Sequence, residues 1–480
     1  MTAYLGLFGE QLSDCNVNCL VDTINPLGTL ATKIFNANHA CIAASFHENN
    51  PLKGNRYFED KEWIAVLAGD LIRISVPWKM IMEILDSGKY EKLKNFNGYF
   101  SILALNREKG ELFIVSDRRA QLQTFYLIGE RDKKIRICVS TELSTFCRLP
   151  VEMTFNIEWL WEYLFFNYPI GQTTFLKNVK AMPPASILQV NIDSGRHWFS
   201  KYADRLRKKE HLLEGKESLD YAYDIFRNSI PKHFIGGETI ACALTDGWDG
   251  RTNLSFCPNI NGVVAYTYGT PGCSDLVEAS KTVKALNIEH REILFDKTFE
   301  EKLPALIFDT VFLSSGMERI TRATLLYAYS VLTEYGKSFP LVMSGISFDM
   351  QFRGHAHTPA LISSGMAKIF STGINDIDEG YWQKLMGAYY EPFRTHISKQ
   401  IENLEKDYGK LSESAAHLSY MLYELSPKYF GSELAIAKHF TTLRVPAWDN
   451  DIIDLSYSIR NSTISFSQFL ADYKRGAWKK

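Results

Sequence analysis

The stretch Thr239-Ile-Ala-Cys-Ala-Leu-Thr-Asp-Gly-Trp-Asp-Gly-Arg-Thr252 decides the fold of the second half of this chain. Its first six residues form an apolar run that predicts a buried strand, and the polar segment after them leads into a helix predicted to begin near Arg251. A strand that turns directly into a helix is typical of a βαβ unit, so the stretch predicts a parallel sheet. In such sheets ligands bind just beyond the carboxyl ends of the strands, which makes this loop a candidate site.

The same alternation of strand and helix continues after this stretch. Further strands are predicted for residues 262–268, 292–295 and 340–343, and a helix is predicted for 322–335. Another helix is predicted where Asp275 is placed to cap it and apolar residues recur every three or four positions. These apolar residues are Leu276, Ala279, Val283 and Leu286. The pattern predicts a parallel sheet with helices on both faces.

The first 150 residues show short apolar runs separated by polar turns, which predicts antiparallel strands joined by hairpins. Two of the turns are predicted at residues 107–110 and 129–132. An aromatic-rich helix is predicted for Ile157–Phe166, and we expect it to pack between two domains. The predicted domains are 1–205 and 206–480. The apolar runs are Trp63–Gly69, Tyr99–Leu105, Leu112–Val115, Gln123–Ile128 and Ile135–Val139.

Composition limits the classes of function. The 53 Lys and Arg residues nearly cancel the 55 Asp and Glu residues, so the charge pattern gives no indication of nucleic-acid binding. No apolar run approaches the roughly 18 residues that span a bilayer, and residues 1–12 lack the pattern of a signal peptide. The eight cysteines show no zinc-site spacing and are typical of free thiols in a reducing compartment. We therefore expect a cytoplasmic protein that contacts neither membrane nor nucleic acid.

Two loops are predicted to meet at the carboxyl edge of the parallel sheet. In the first, backbone N–H groups near Gly250 could receive phosphate or pyrophosphate, Asp249 could hold Mg²⁺ and Arg251 could neutralise charge. The alternative is a tight turn that needs its glycines for steric reasons, and the residues alone leave both interpretations open. The second loop, Ser344–Met350, brings Asp349 to the same edge, where two carboxylates could share Mg²⁺. Taken alone, Asp349 is more typical of a helix cap.

The order of these segments resembles the synthetase domain of the asparagine synthetase family. The motifs that carry this resemblance are Thr245–Gly250, Val264–Gly269, Ile320–Thr324, Ser344–Asp349 and Leu443–Asp449. In the first half, three segments resemble the glutaminase domain of the same family, namely Asn95–Phe100, Asp117–Arg119 and Ser140–Leu143. The resemblance covers nearly the whole chain. It implies an α+β sandwich (αββα) like that of N-terminal-nucleophile hydrolases, followed by an α/β parallel-sheet ATP-pyrophosphatase domain of the adenine nucleotide α-hydrolase type.

Departures from the family pattern bear on the expected activity. Family glutaminases use an N-terminal cysteine as nucleophile, and Leu5 stands in the matching stretch, so glutamine hydrolysis by that route is excluded. β-Lactam synthetase and lasso-peptide cyclases resemble this case, since they lack the cysteine and use an amine already present on a substrate. Asp246 replaces a loop glycine, and Ile346 and Met350 replace two glutamates. The family's lysine near the adenylate would lie further beyond Pro446 than the sequence extends, which leaves a truncated chain, a substitute lysine in the tail or lost chemistry as alternatives.

The resemblance implies an ATP-dependent, AMP-forming amide ligase without glutaminase activity. It implies ATP and Mg²⁺ as cofactors, with Asp249 and Asp349 holding the metal and Arg322 stabilising the departing pyrophosphate, so that these three residues are the expected catalytic set. The residues expected to contact ATP are Leu244, Thr245, Gly247, Asp249, Arg251, Val264, Ser344 and Gly345.

Other functions stay open at the level of sequence. One alternative is a catalytically degenerate homologue that binds a nucleotide or a partner without turnover. Another is an asparagine synthase that uses free ammonia. The expected partners are ATP and a small-molecule or peptide carboxylate and amine, with a homodimer as an open option.

Overall fold

A computed structural model describes residues 3–9, 17–48, 50, 56–72, 75–131, 134–204, 215–237, 239–334, 337–352, 379–408, 410–411 and 413–459. Within these residues the chain forms two antiparallel sheets and then one parallel sheet. None of the described helices is long and apolar enough to cross a bilayer.

Twelve strands and three α-helices form the described part of the first half. The strands are β1 (Ala3–Phe8), β2 (Ala31–Ala37), β3 (Ala40–Phe46), β4 (Tyr57–Glu59), β5 (Trp63–Leu71), β6 (Gly98–Asn106), β7 (Glu111–Ser116), β8 (Phe125–Arg131), β9 (Lys134–Ser140), β10 (Lys180–Ala181), β11 (Ser186–Asn191) and β12 (His197–Lys201). The helices are α1 (Val17–Ile24), α2 (Trp78–Ser87) and α3 (Ile157–Phe166). One sheet has the order β10-β8-β9-β1-β3-β2 and the other β12-β11-β7-β6-β5-β4.

The two antiparallel sheets stack with a helix on each outer face. Along β1, Leu5 and Leu7 pack against α1, whereas Tyr4 and Phe8 point into the core between the sheets. This alternation is the period of two that a strand imposes on its side chains. On the other side, α2 packs through Ile81 and its neighbours against the outer face of the second sheet. The layer order is therefore helix, sheet, sheet, helix.

The antiparallel pairing predicted for the first half is confirmed, with one correction. The turn at 107–110 joins β6 to β7 as predicted. The turn predicted at 129–132 is wrong in position, because Gly129 pairs with Arg136 and the ladder continues to Arg131. Gly129 does not have the positive φ of a turn glycine, so cross-strand pairing determines its conformation.

The described part of the second half contains five strands and eleven α-helices. The strands are β13 (Ile240–Ala243), β14 (Val263–Gly269), β15 (Glu289–Leu294), β16 (Leu341–Met343) and β17 (Thr442–Arg444). The helices are α4 (Gly215–Ser229), α5 (Trp248–Ser255), α6 (Ser274–Leu286), α7 (Lys297–Leu313), α8 (Ala323–Leu332), α9 (Phe348–Phe352), α10 (Glu379–Met386), α11 (Tyr390–Tyr408), α12 (Glu413–Tyr420), α13 (Ser432–Ala437) and α14 (Asn450–Ser458). A π-helix spans Met421–Phe430.

The five strands form a fully parallel sheet in the order β15-β14-β13-β16-β17, as the alternation of strand and helix predicts. Successive residues of β13 face opposite sides. Ile240 and Cys242 pack with α5 and α6, whereas Ala241 belongs to the core formed with α8 and α13. The prediction of helices on both faces is confirmed. The aromatic helix α3 also packs as predicted, since Trp161 contacts Phe393 of α11.

A buried ion-pair network joins the two halves. Asp70 of β5 accepts hydrogen bonds from Arg56 at 2.8 Å and from Arg444 of β17 at 2.7 Å, and none of the three is more than 3% exposed. Arg444 also donates to the carbonyls of His233 and Ile235. Burial by itself would raise the pKa of Asp70, but the two guanidinium groups hold it below its ordinary value. The carboxylate is therefore ionised and links Arg56 and β5 of the first half to Arg444 of the second half.

Replacing Asp70 with Asn should lower the free energy of unfolding by about 3–5 kcal/mol, because the Arg444 guanidinium would stay buried without an ionised partner. Because the pKa of Asp70 is depressed, its contribution is present at neutral pH and is lost as the pH falls. The difference between wild type and variant should therefore shrink below about pH 4. Urea denaturation across this pH range measures the effect.

Glu278→Gln, which removes the exposed partner of Lys281, should change stability by less than about 1 kcal/mol. Equal effects from the two variants would contradict the assignment.

Candidate active site at the carboxyl edge of the parallel sheet

The loop between β13 and α5 forms the centre of the site. Leu244 still belongs to the sheet, since its N–H donates to the Tyr266 carbonyl at 2.9 Å and its own carbonyl accepts from Thr267 Oγ1 at 2.7 Å. Its side chain is fully buried in the core beneath the loop. Residues 245–247 then leave the sheet and reach the surface at the N-terminus of α5.

The glycines of the two loops serve different purposes. A Cβ on Gly250 would lie 2.3 Å from the Ala243 carbonyl oxygen, and a Cβ on Gly345 would lie 2.8 Å from the Gly250 nitrogen. The steric interpretation therefore holds for Gly250, and Gly345 allows the second loop to touch the first. Gly247 has a φ of −67°, and a Cβ there would meet only Thr245 Oγ1, at 3.1 Å. The fold does not require glycine at position 247.

Side-chain oxygens accept hydrogen bonds from the backbone N–H groups at the tip of the first loop. The Asp246 N–H donates to Asp275 Oδ1 at 3.0 Å, and the Gly247 N–H donates to Thr245 Oγ1 at 3.0 Å. Arg251 forms an ion pair with the Asp246 carboxylate at 3.3 Å. The prediction that Asp275 caps its own helix is wrong, because α6 begins one residue earlier and has no side-chain cap. Asp275 instead joins α6 to the loop.

The second loop is fixed from three sides. The Ser344 N–H donates to the Arg444 carbonyl at 2.8 Å, and the Ser344 carbonyl accepts from Asn253 Nδ2 at 3.1 Å. Trp448 Nε1 donates to Ser347 Oγ at 3.1 Å. Asp349 lies in α9, but its side chain is outside the described part of the structure. The paired role of Asp249 and Asp349 as magnesium ligands therefore stays a prediction.

The structure brings most of the predicted site residues to one edge, but not all of them. Asp249 and Gly345 approach closely, since a Cβ on Gly345 would lie 3.2 Å from Asp249 Cβ, and Arg251 lies on α5 beside the loop tip. Val264 is placed differently, since it is the second residue of β14 and pairs with Ala241, well before the carboxyl end of the strand. Arg322, in the 3-10 helix Ile320–Arg322, influences the pKa of Tyr268 near the end of β14 and so lies near this edge.

A group of buried acids beside Arg322 was missed by the sequence reasoning. Glu433 of α13 is buried, accepts a hydrogen bond from Tyr329 and interacts with the Ser344 side chain. Burial raises the pKa of Glu433, while Tyr329, Arg322 and Ser344 oppose the rise. Glu318 lies with its Oε2 atom 3.6 Å from Arg322 Nε. We call Glu318, Arg322, Tyr329 and Glu433 the acidic cluster.

Weak signals for this cluster exist in the sequence. Glu318 precedes Arg322 by four residues, a spacing that places oppositely charged side chains together in helical backbone. Glu433 is an acid within the otherwise apolar helix α13. Neither signal indicates burial, which depends on packing between segments that are far apart in sequence.

The motifs of the first half that resemble a glutaminase domain lie against the second half. Asn97 donates to Asp449 at 2.6 Å, and Arg119 donates to the Trp448 carbonyl at 2.9 Å. Glu142 forms a buried ion pair with Lys438. Leu5, which the resemblance sets against the family nucleophile, is a fully buried residue of β1. In this chain these motif residues form contacts between the two halves.

Comparisons with known proteins inform the first half. Residues 79–203 match the family model of a glutamine amidotransferase domain. This segment is similar to an amidotransferase domain. The match agrees with the resemblance of the first half to a glutaminase, and it does not name the asparagine synthetase family. No curated protein matches the sequence significantly.

Two solved structures share a low level of similarity with the chain. One is glutamine phosphoribosylpyrophosphate (PRPP) amidotransferase from B. subtilis in complex with ADP and GMP, with 9% identity, 62% of this chain and 70% of that chain covered, and a TM-score of 0.26. The other is described as the allosteric regulatory enzyme of purine biosynthesis, with 10% identity, 60% and 64% covered, and a TM-score of 0.25. Scores this low support no inference about fold or function.

The different roles of the two loop glycines can be tested by substitution with alanine. Gly250→Ala should destabilise the fold by about 2 kcal/mol or more, because the new methyl group meets a backbone carbonyl that cannot move freely. Gly247→Ala should change stability by less than about 1 kcal/mol, because its neighbour is a single exposed hydroxyl. Chemical denaturation of both variants measures the difference, and equal destabilisation would contradict the assigned contacts.

Proposed function

We propose that the chain is an ATP-dependent amide ligase that adenylates a carboxylate, releases pyrophosphate and transfers the acyl group to an amine. The amine comes from a substrate rather than from glutamine, because the position of the family nucleophile holds the buried Leu5. The observation that carries the proposal is the contact between two strand-to-helix loops at one sheet edge, where Gly345 meets Asp249 and Gly250. The amidotransferase-like segment in the first half supports a synthetase of the amidotransferase type.

The first loop has groups that suit a phosphate. The N–H groups of Asp246 and Gly247 donate hydrogen bonds to side-chain oxygens of Asp275 and Thr245. Phosphate oxygens accept hydrogen bonds of the same kind at helix N-termini. Both hydrogen bonds are solvent-exposed, so exchanging the acceptor costs little desolvation. Arg251 supplies a nearby positive charge. These residues therefore fit a polyphosphate, with Ser344 and Gly345 beside it for the nucleoside.

The same loop has groups that suit Mg²⁺ together with phosphate. The described residues contain no group of three or more His, Cys, Asp or Glu that could hold a metal ion alone. Magnesium in nucleotide sites commonly uses one or two carboxylates and completes its coordination with phosphate oxygens and water. Asp249 would provide such a carboxylate, with Asp349 as the proposed second ligand. Bound Mg²⁺ would reduce the repulsion between ATP and the loop carboxylates, including Asp246.

In this proposal the chain contributes positioning and charge neutralisation. The loop N–H groups and Arg251 orient the phosphates, and Arg322 stabilises charge on the departing pyrophosphate. The hydrogen bonds of Ser344 with Arg444 and Asn253 keep the second loop in place beside them. The substrate carboxylate attacks the α-phosphorus, and the amine then displaces AMP.

One observation favours a second candidate, a homologue that binds a nucleotide or a partner without turnover. The loop satisfies its own N–H groups through Thr245 and Asp275, and Asp246 places a carboxylate where phosphate would approach. A loop closed in this way can be stable without any ligand. A third candidate, an asparagine synthase that uses free ammonia, differs from the main proposal only in its substrates.

Isotope exchange between ATP and labelled pyrophosphate tests the proposal. The wild-type protein should catalyse Mg²⁺-dependent exchange with at least one acid from a panel of the proteinogenic amino acids and their N-acetyl derivatives. Asp249→Asn should reduce that exchange by about 100-fold or more, because a carboxylate that neutralises charge on phosphate through Mg²⁺ is lost. Exchange with aspartate, followed by amide formation with ammonia, would identify the third candidate.

A matched control separates loss of function from loss of fold. Glu108→Gln removes an exposed acid in a hairpin turn of the first half and should leave exchange unchanged. Absence of exchange in wild type with every acid, together with a melting temperature that does not respond to Mg²⁺ and ATP, would exclude the ligase. A melting temperature that does respond, without exchange, would favour the non-turnover homologue. Exchange that survives in Asp249→Asn would exclude the metal assignment.

A further inference from the structure

Glu318 is a buried carboxylate that is not saturated by hydrogen bonds. Only 3% of its side chain is exposed, and its Oε2 atom accepts no hydrogen bond from any described residue. Arg322 Nε lies 3.6 Å away, beyond hydrogen-bond distance, and itself donates to no described acceptor. A buried acceptor and a buried donor therefore face each other with charge attraction alone between them. Buried polar atoms normally form hydrogen bonds. Glu318 Oε2 and Arg322 Nε form none, which indicates that a ligand group binds there.

The other acid of the cluster differs in this respect. Glu433 accepts a hydrogen bond from Tyr329 and interacts with Ser344 of the second loop. Glu318 lies in the loop between α7 and the 3-10 helix that carries Arg322. No described hydrogen bond joins Glu318 to the second loop. The charged and titratable groups that influence it are Arg319 and Arg322 from its own segment and Glu433 from α13, and it in turn influences Tyr163 of α3.

On the basis of the ligase function proposed above, we propose that Glu318 accepts the proton released when a primary amine attacks the activated carboxylate. Arg322 is common to the two half-reactions, because it forms an ion pair with Glu318 and is also the proposed stabiliser of the departing pyrophosphate. In this arrangement the amine approaches from the side of the acidic cluster and the nucleotide lies on the side of the loops. Glu318 acts in the second half-reaction only.

The chemical step balances without any additional reagent. The nitrogen lone pair forms a bond to the acyl carbon, and the bond from that carbon to the AMP phosphate oxygen breaks with its electron pair on AMP. The nitrogen then carries one proton more than an amide requires. Glu318 takes that proton and becomes a neutral carboxylic acid, which solvent later deprotonates.

The protonation behaviour of Glu318 agrees with this role. Burial raises the pKa of Glu318 to about 7, although Arg322 and Arg319 oppose the rise, and Glu433 adds to it. A base whose pKa lies near the working pH is both ionised often enough and basic enough to accept a proton in the transition state. A surface glutamate, with a pKa of about 4.3, would be a far weaker base.

Glu318→Gln separates the two half-reactions. With an acid that supports exchange in wild type, the variant should keep ATP–pyrophosphate exchange within about threefold, and its transfer to methylamine or ammonia should fall by about 100-fold or more. Transfer to hydroxylamine, which is largely unprotonated at neutral pH and strongly nucleophilic, should be retained as the hydroxamate. In wild type, the rate of transfer divided by the concentration of unprotonated amine should rise with pH through about 7, and in the variant this rise should disappear.

Two further measurements separate the proposed role of Glu318 in amine transfer from an effect of the substitution on folding. Glu433→Gln should weaken exchange as well as transfer, because it disturbs the second loop. For Glu318→Gln, the melting temperature relative to wild type should rise between pH 5 and pH 8. The reason is that the raised pKa makes ionisation of Glu318 costly in the folded protein, so wild-type stability declines as the pH passes from its unfolded pKa to about 7.

The outcomes distinguish this proposal from the function on which it rests. Absence of exchange in wild type would overturn the ligase and the role of Glu318 together. Exchange in wild type with unimpaired transfer to methylamine in Glu318→Gln would overturn only the role of Glu318. Loss of exchange in that variant, or an equal loss of amide and hydroxamate formation, would also overturn it, because either result assigns Glu318 to adenylation or to structure.

Discussion

The placement of Asp70 between Arg56 and Arg444 is the constraint on which the candidate site depends. A fully buried carboxylate is tolerated because two guanidinium groups surround it, and one of them belongs to the last strand of the parallel sheet. Arg444 also presents its carbonyl to the Ser344 N–H. The ion pair between the halves therefore fixes the strand next to the second loop. The antiparallel sheets contain none of the proposed catalytic residues. They nevertheless hold in place the carboxyl edge of the parallel sheet, where those residues lie.

The amidotransferase-like segment takes part in the contact between the two halves. Several of its motif residues contact the second half, as in the pairs Asn97–Asp449 and Glu142–Lys438. Burial raises the pKa of Glu142 and Lys438 opposes that rise, so the pair is held by mutual attraction in a region with little water. These contacts give the amidotransferase-like segment a structural role in holding the two halves together.

Local pattern predicted most of the fold. The apolar runs predicted strands β5–β9 and β13–β16, and helix α3 has the predicted bounds because its run of aromatic side chains is a local feature. The turn near Gly129 and the cap at Asp275 were wrong, because cross-strand pairing and a contact between distant loops decided them. Glu318 and Glu433 were missed for a related reason. Their importance comes from burial, which depends on segments brought together only in the folded chain.

Transfer of labelled oxygen tests the central claim, adenylation of a carboxylate at the edge of the parallel sheet. An acid that supports exchange is labelled with ¹⁸O in its carboxyl group and incubated with ATP, Mg²⁺, an amine and the protein. The account predicts that AMP is formed and that one labelled oxygen appears in its phosphate, because the carboxylate oxygen attacks the α-phosphorus and leaves with AMP. Label in inorganic phosphate with formation of ADP, or AMP without label, would contradict it.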